Sequence, residues 1–173
     1  AIMVMARNIT ERKRAEEALR KNEERFRGAI EALQEGFALF DADDRLVIFN
    51  EEYKRLHPVI ADMLVPGVSY EEMLRANIAG GFVIQAVGRE DDYIQDRLEH
   101  HRNPRGPLLR ELADGTWYII TESRTPEGGI VEAQTDITEL KQAQTDLQKA
   151  HDSLENRVQE RTQTLSHEVT ERK

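Results

Sequence analysis

EGFALFDADDRLVIFNEEY, residues 35–53, is the stretch that decides the fold. Two short apolar runs, GFALFD (36–41) and RLVIFN (45–50), flank Asp43-Asp44, whose short acidic side chains suit a tight turn. That pattern specifies a β-hairpin. Asn50 closes the second run and can cap a helix over Glu51 to His57, which Pro58 limits. Further along, Ser69-Tyr70-Glu71-Glu72 is a capping box. It opens a helix through about Ala79 that stops at Gly80-Gly81. Glu90 to His101 reads as another helix, with Tyr93, Ile94 and Leu98 on one side. Three strands follow at 107–113, 116–125 and 129–137, joined by an Asp114-Gly115 hairpin and a turn at Pro126-Glu127-Gly128-Gly129. The order β-β-α-α-α-β-β-β specifies an α+β domain on an antiparallel sheet.

The full chain has 173 residues, no cysteine and a formal net charge of −9. Zero cysteine excludes disulfides, thiolate metal sites and cysteine nucleophiles. No run of 18 apolar residues exists, so no transmembrane helix and no direct membrane insertion are expected of this segment, and no signal peptide is visible. The acidic balance argues against nucleic acid as a partner. The charge is uneven: residues 35–138 carry −10, residues 1–34 carry +2 and residues 139–173 carry −1. Densely charged, nearly neutral ends with interleaved signs look like solvated helices.

From Glu11 to Gln34 the apolar or small positions run Ala15, Leu19, Asn22, Phe26, Ala29 and Leu33, a heptad seam. Glu16–Arg20, Glu17–Lys21 and Glu23–Arg27 have the spacing of helical ion pairs, worth roughly 0.2–0.5 kcal/mol each. Asn22 either pairs across a two-stranded seam, fixing its register, or faces solvent. From Glu139 to Lys173 the seam continues as Leu140, Ala143, Leu147, Ala150, Leu154, Val158, Leu165 and Val169, with a stutter between Leu154 and Val158. An amphipathic helix of that length has no core of its own. Its economical partner is the same helix of a second copy, in a parallel coiled-coil homodimer.

A hexapeptide recurs: NITERK (8–13), DITELK (136–141) and EVTERK (168–173). The first two copies are separated by one globular domain and one linker helix, as in a tandem array. On that reading the first ten residues are the final strand of a preceding module. Asp136 and Thr138 can accept from free N–H groups at the start of the long helix, and Ile137 can anchor the junction. The triplet Asp136-Ile137-Thr138 is therefore the candidate signal-coupling element.

These residues resemble a known family. EGFALFDADDRLVIFNEEY (35–53), the DGTWYIITESRTPEGGI hairpin (114–130) and TDITELK (135–141) are similar to a PAS sensor domain, and Asn50 matches the family's usual Asn. Residues 8–34 resemble the linker between PAS modules of bacterial sensor proteins, and 139–173 the signalling helix that follows. The resemblance implies a five-stranded antiparallel sheet with helices on one face and a pocket between. It also implies a parallel dimer through the flanking helices, and output to a histidine kinase or a diguanylate cyclase. The organisation expected is 1–34 as the end of a preceding module and linker helix, 35–138 as the PAS domain, and 139–173 as the C-terminal signalling helix.

Alternation and helix face nominate Leu39, Ile48, Tyr53, Met73, Ile94, Leu98, Trp117 and Ile119 as pocket residues. The alternative is a cavity filled by side chains, in a domain that only dimerises and transmits. No cofactor is nominated, although an unidentified small molecule is compatible. Light-sensing flavin relatives need a pocket cysteine, which is missing. Oxygen-sensing haem relatives carry His-Asp-x-Tyr where this chain reads Glu90-Asp91-Asp92-Tyr93. His57, His100 and His101 are expected at the surface or at helix ends. Asp41, Asp43 and Asp44 fit a hairpin turn better than a cation site. Leu165-Ser166-His167-Glu168 approximates a kinase phosphoacceptor context but lacks the proline that follows in that family, so His167 is the weaker reading. No metal site and no catalytic set are expected, and the segment is not read as an enzyme. The function expected is a cytoplasmic, dimeric sensory relay in a two-component signalling protein.

Overall fold

The computed structural model describes residues 2–171. A long helix α1 (Ile2–Glu31) leads into β1 (Gly36–Phe40) and β2 (Leu46–Phe49). Then come α2 (Glu51–Leu56), a 3-10 segment (Pro58–Met63), α3 (Tyr70–Ala79), a short 3-10 turn (Ile84–Ala86) and α4 (Glu90–Arg102). β3 (Leu108–Glu111), β4 (Trp117–Arg124) and β5 (Ile130–Asp136) follow, and α5 (Thr138–Glu171) closes the chain. The five strands form one antiparallel sheet in the order β2-β1-β5-β4-β3. This is the expected α+β, PAS-like architecture with long helices at both ends.

The local chemistry explains the elements. Asp41 accepts from the backbone N–H groups of Asp43 and Arg45, and Asp44 takes a left-handed φ of 56°, so the acidic triplet closes the β1–β2 hairpin. Ser69 and Glu72 cap each other's backbone as the capping box requires. Gly129 lies so close to β1 that a Cβ would run into the Phe40 carbonyl. The helices α2, α3 and α4 cover one face of the sheet. Phe40, Leu46, Tyr53, Ile60, Met73 and Ile130 meet there, each at most 2 % exposed. Burying a side chain of this size is worth about 1.5–3 kcal/mol.

Two expectations need correction. The first ten residues are not a strand: residues 2–10 continue α1. A lone strand would leave its ladder groups without a neighbour in this chain, whereas a helix satisfies its own. The ion pairs along α1 also differ, since Arg12 pairs with Glu16 and Arg20 with Glu24, with only Glu17–Lys21 as expected.

Candidate functional site

The inner face of the sheet is polar at its centre. Strand alternation points Arg110 on β3, Glu122 on β4, and Glu132 and Gln134 on β5 under the helices, all buried. Glu122 and Glu132 are direct cross-strand partners. Two like charges so placed repel, and α4 supplies the counter-charge. Ile94, Arg97, Leu98 and His101 form its buried stripe.

Arg97 donates to both Glu122 oxygens, at 3.0 and 3.2 Å, and lies 3.9 Å from Glu132 Oε2. It also contacts the Tyr70 hydroxyl. His101 Nδ1 is 2.6 Å and His100 Nδ1 2.8 Å from Glu122. The Tyr70 ring stacks on His101 at 3.7 Å, and Phe40 meets both rings edge-on. Glu132 Oε1 accepts from the Tyr53 hydroxyl at 3.2 Å and from Gln134 at 2.5 Å.

The two carboxyls therefore diverge. Burial disfavours the charge on Glu122, but the His101 hydrogen bond and Arg97 outweigh it and hold the group well below the usual carboxylate range. Burial and the charge of Glu122 push Glu132 up. Glu132 Oε2 makes no hydrogen bond. Burial, followed by the positive charge of Arg110, pushes His57 down to about 3. His101, Glu122 and Glu132 offer ligand atoms within 4.8 Å of one another. Arg97 already brings a fixed cation to both carboxyls.

Two cavities adjoin this network. An open cleft of about 340 Å³ lies between α4 and the β3–β4 hairpin, lined in part by Tyr93, Arg97, Leu108, Arg110 and Ile120. An inner cavity of about 10 Å³, lined in part by Tyr53, His57, Met73, Asn77 and Glu132, has room for about one water molecule.

The long helices attach at one end of the sheet. Asn50 Oδ1 accepts from Phe37 and Tyr53 N–H groups, while its Nδ2 donates to the carbonyls of Ile30 and Glu35. One buried amide thus ties the end of α1 to β1 and α2. At the exit, Asp136 Oδ1 accepts from both the backbone and hydroxyl of Thr138. The Thr138 hydroxyl oxygen accepts from Trp117 N–H at 2.9 Å, and Ile137 N–H donates to the Trp117 carbonyl at 2.8 Å. Lys141 sits 5.0 Å over the Trp117 ring. The start of α5 is fastened to the start of β4.

Of the nominated pocket residues, Tyr53, Met73, Ile94 and Leu98 are buried under the helices, and Tyr53 and Met73 line the inner cavity. Leu39, Ile48, Trp117 and Ile119 stand on the opposite face, half-buried. The alternation slipped by one residue on β1, β2 and β4, which moves a whole set across the sheet. The seam residues Leu19, Phe26, Leu33, Leu140, Leu147, Leu154, Val158 and Leu165 are all exposed, as is Asn22. The side chains of residues 8–11 in the first hexapeptide and of the whole last one (168–173), Val169 included, lie outside the described residues. His57, His100 and His101 stand at helix ends as expected, but His57 and His101 are buried rather than superficial. The sequence reading missed Arg97, Arg110, Glu122 and Glu132. The available signal was charge at inward strand positions, and Arg97 three residues after Ile94.

The family model described as the PAS fold matches residues 30–145. The non-motile and phage-resistance protein of Caulobacter vibrioides is 31 % identical over 157 residues, 91 % of this chain and 17 % of that protein. The virulence sensor protein BvgS of Bordetella bronchiseptica is 27 % identical over 179 residues, 97 % of this chain and 14 % of that protein. The chain thus spans less than a fifth of the length of these relatives. Among solved structures, the PAS domain of Bordetella pertussis BvgS aligns at 24 % identity with a TM-score of 0.42, over 75 % of this chain and 98 % of that one. The PAS domain of an HTR-like protein from Haloarcula marismortui gives 17 % and 0.45, over 72 % and 99 %. Since the family match takes in all five strands and every helix packed on them, the chain belongs to the PAS-fold family.

Proposed function

We propose that this chain is a dimeric sensory and relay module of a bacterial signalling protein. A change in its core passes through a parallel coiled coil to an output domain, a histidine kinase or, second to it, a diguanylate cyclase. The chain itself performs no catalysis on this reading, and it works in the cytoplasm beside neighbouring PAS and kinase domains. The carrying observation is the double fastening at one end of the sheet, through Asn50 on the way in and Thr138 on the way out. A strand shift in the core must there move a helix end. The exposed leucines of α1 and α5 support a helical partner. Among the described residues, no helix is long and apolar enough to cross a membrane.

Light scattering at micromolar concentration tests the dimer: the expected mass is about twice the 19.9 kDa of one chain, falling to one chain in Leu147→Asp. A wild-type mass near 19.9 kDa removes the relay.

A further inference from the structure

We propose that the cleft beneath α4 binds a small organic monocarboxylate, its carboxylate on Arg110 and its apolar body against Tyr93, Leu108 and Ile120. The inference rests on the sensory reading of this domain and gives it a ligand class.

Arg110 sits on β3 opposite Tyr118 and is 7 % exposed. Among the described residues, its guanidinium makes no hydrogen bond or ion pair, and its charge reaches Glu132 and His57 only through space. A guanidinium carries five N–H donors in a planar fork and no acceptor. Buried cations are normally paired. Arg97, equally deep, shows the ordinary solution, its fork filled by Glu122. Arg110 lines the open cleft and the inner cavity alike, so a ligand entering the cleft meets its fork.

Charge accounting sets the valence. In the cleft Arg89 is paired with Asp96, and Arg97 and His100 are engaged by Glu122. Arg110 alone is left for one negative group. Arg97 also lines the cleft, and its buried Nε has no acceptor. Apart from Gln85, the remaining wall is Tyr93, Leu108, Leu109 and Ile120, and about 340 Å³ suits an organic molecule better than an inorganic ion. A carboxylate matches the guanidinium fork in shape.

The test uses the full chain with acetate, isovalerate, benzoate and indole-3-acetate, with benzamide as the neutral counterpart and inorganic phosphate as the small anion. Calorimetry should give one site per chain for at least one organic acid, with amide shifts at Leu108, Arg110 and Tyr93. Benzamide and the Arg110→Gln variant should each weaken binding about tenfold or more. Ligand-free Arg110→Met should melt at or above the wild-type temperature, because no hydrogen bond or ion pair is lost. Failure of all four acids, binding indifferent to Arg110→Gln, a response to phosphate alone, or a lower melting temperature for Arg110→Met each overturns the proposal. Benzamide binding the same cleft as tightly as benzoate overturns the charge assignment and leaves the sensory reading standing. The relay reading fails separately, on the mass of the chain.

Discussion

Glu122 and Glu132 lie side by side under α4, 5 % and 1 % exposed, while Leu147 on α5 leaves 73 % of its surface open. The globular part thus buries charge, and the rod-like part displays leucine. Each inverts the usual placement, and each has a different remedy. The buried carboxyls are answered from within the chain, by Arg97, His100, His101 and Tyr53. The leucines of α5 stand exposed at heptad spacing, which is what a seam awaiting a second helix looks like. The globule therefore holds its own specificity, whereas on the proposed reading the helices take theirs from assembly.

The largest expected effect tests the self-sufficiency of the globule. Arg97→Met leaves Glu122 with only the two histidines and should cost about 3–5 kcal/mol in urea unfolding. Adding Glu122→Leu should restore much of that, because the pair goes together. A cost under about 1 kcal/mol would mean that water reaches the network and the contrast with the helices is weaker than drawn.

Next comes pH. His57 stays neutral in the fold down to about 3, whereas the unfolded chain takes up a proton near 6.5. Its contribution is fully present above pH 6.5 and is lost as pH falls, with the loss saturating near 3. Between pH 6.5 and 5 the stability difference between wild type and His57→Gln should shrink by about 2 kcal/mol. Glu132, whose raised pKa acts in the opposite sense, is common to both proteins and cancels. Parallel pH profiles would show that His57 is solvated.

The smallest effect lies at the boundary between the regions. Thr138→Val removes the acceptor for Trp117 N–H and should cost about 1 kcal/mol. It should speed amide exchange at Trp117 while leaving the mass of the assembly unchanged. Unchanged exchange would separate α5 from the sheet and sever the proposed coupling.

How much was legible follows the range of the signals. The hairpin at Asp43-Asp44, the Asn50 cap, the Ser69–Glu72 box and the Asp114-Gly115 turn are local, and each stands where its residues placed it. So does the exposure of the heptad leucines. The pocket residues fared unevenly. On helices the apolar face identified Met73, Ile94 and Leu98, but on β1 and β4 both faces carry apolar residues, and the choice between Leu39 and Phe40, or Ile119 and Ile120, had no local arbiter. Glu122 and Glu132 went unnoticed because charge at an alternating strand position normally faces solvent.

From β1 onward, order, element type and caps were determined by the sequence alone, because hydrogen bonds and backbone preferences a few residues apart decide them. Sheet register, the inward face of each strand and the ion network beneath α4 were decided only by tertiary structure. A carboxylate on β4 is tolerable inside only when an arginine twenty-five residues away in sequence folds onto it, and no short-range preference records that meeting.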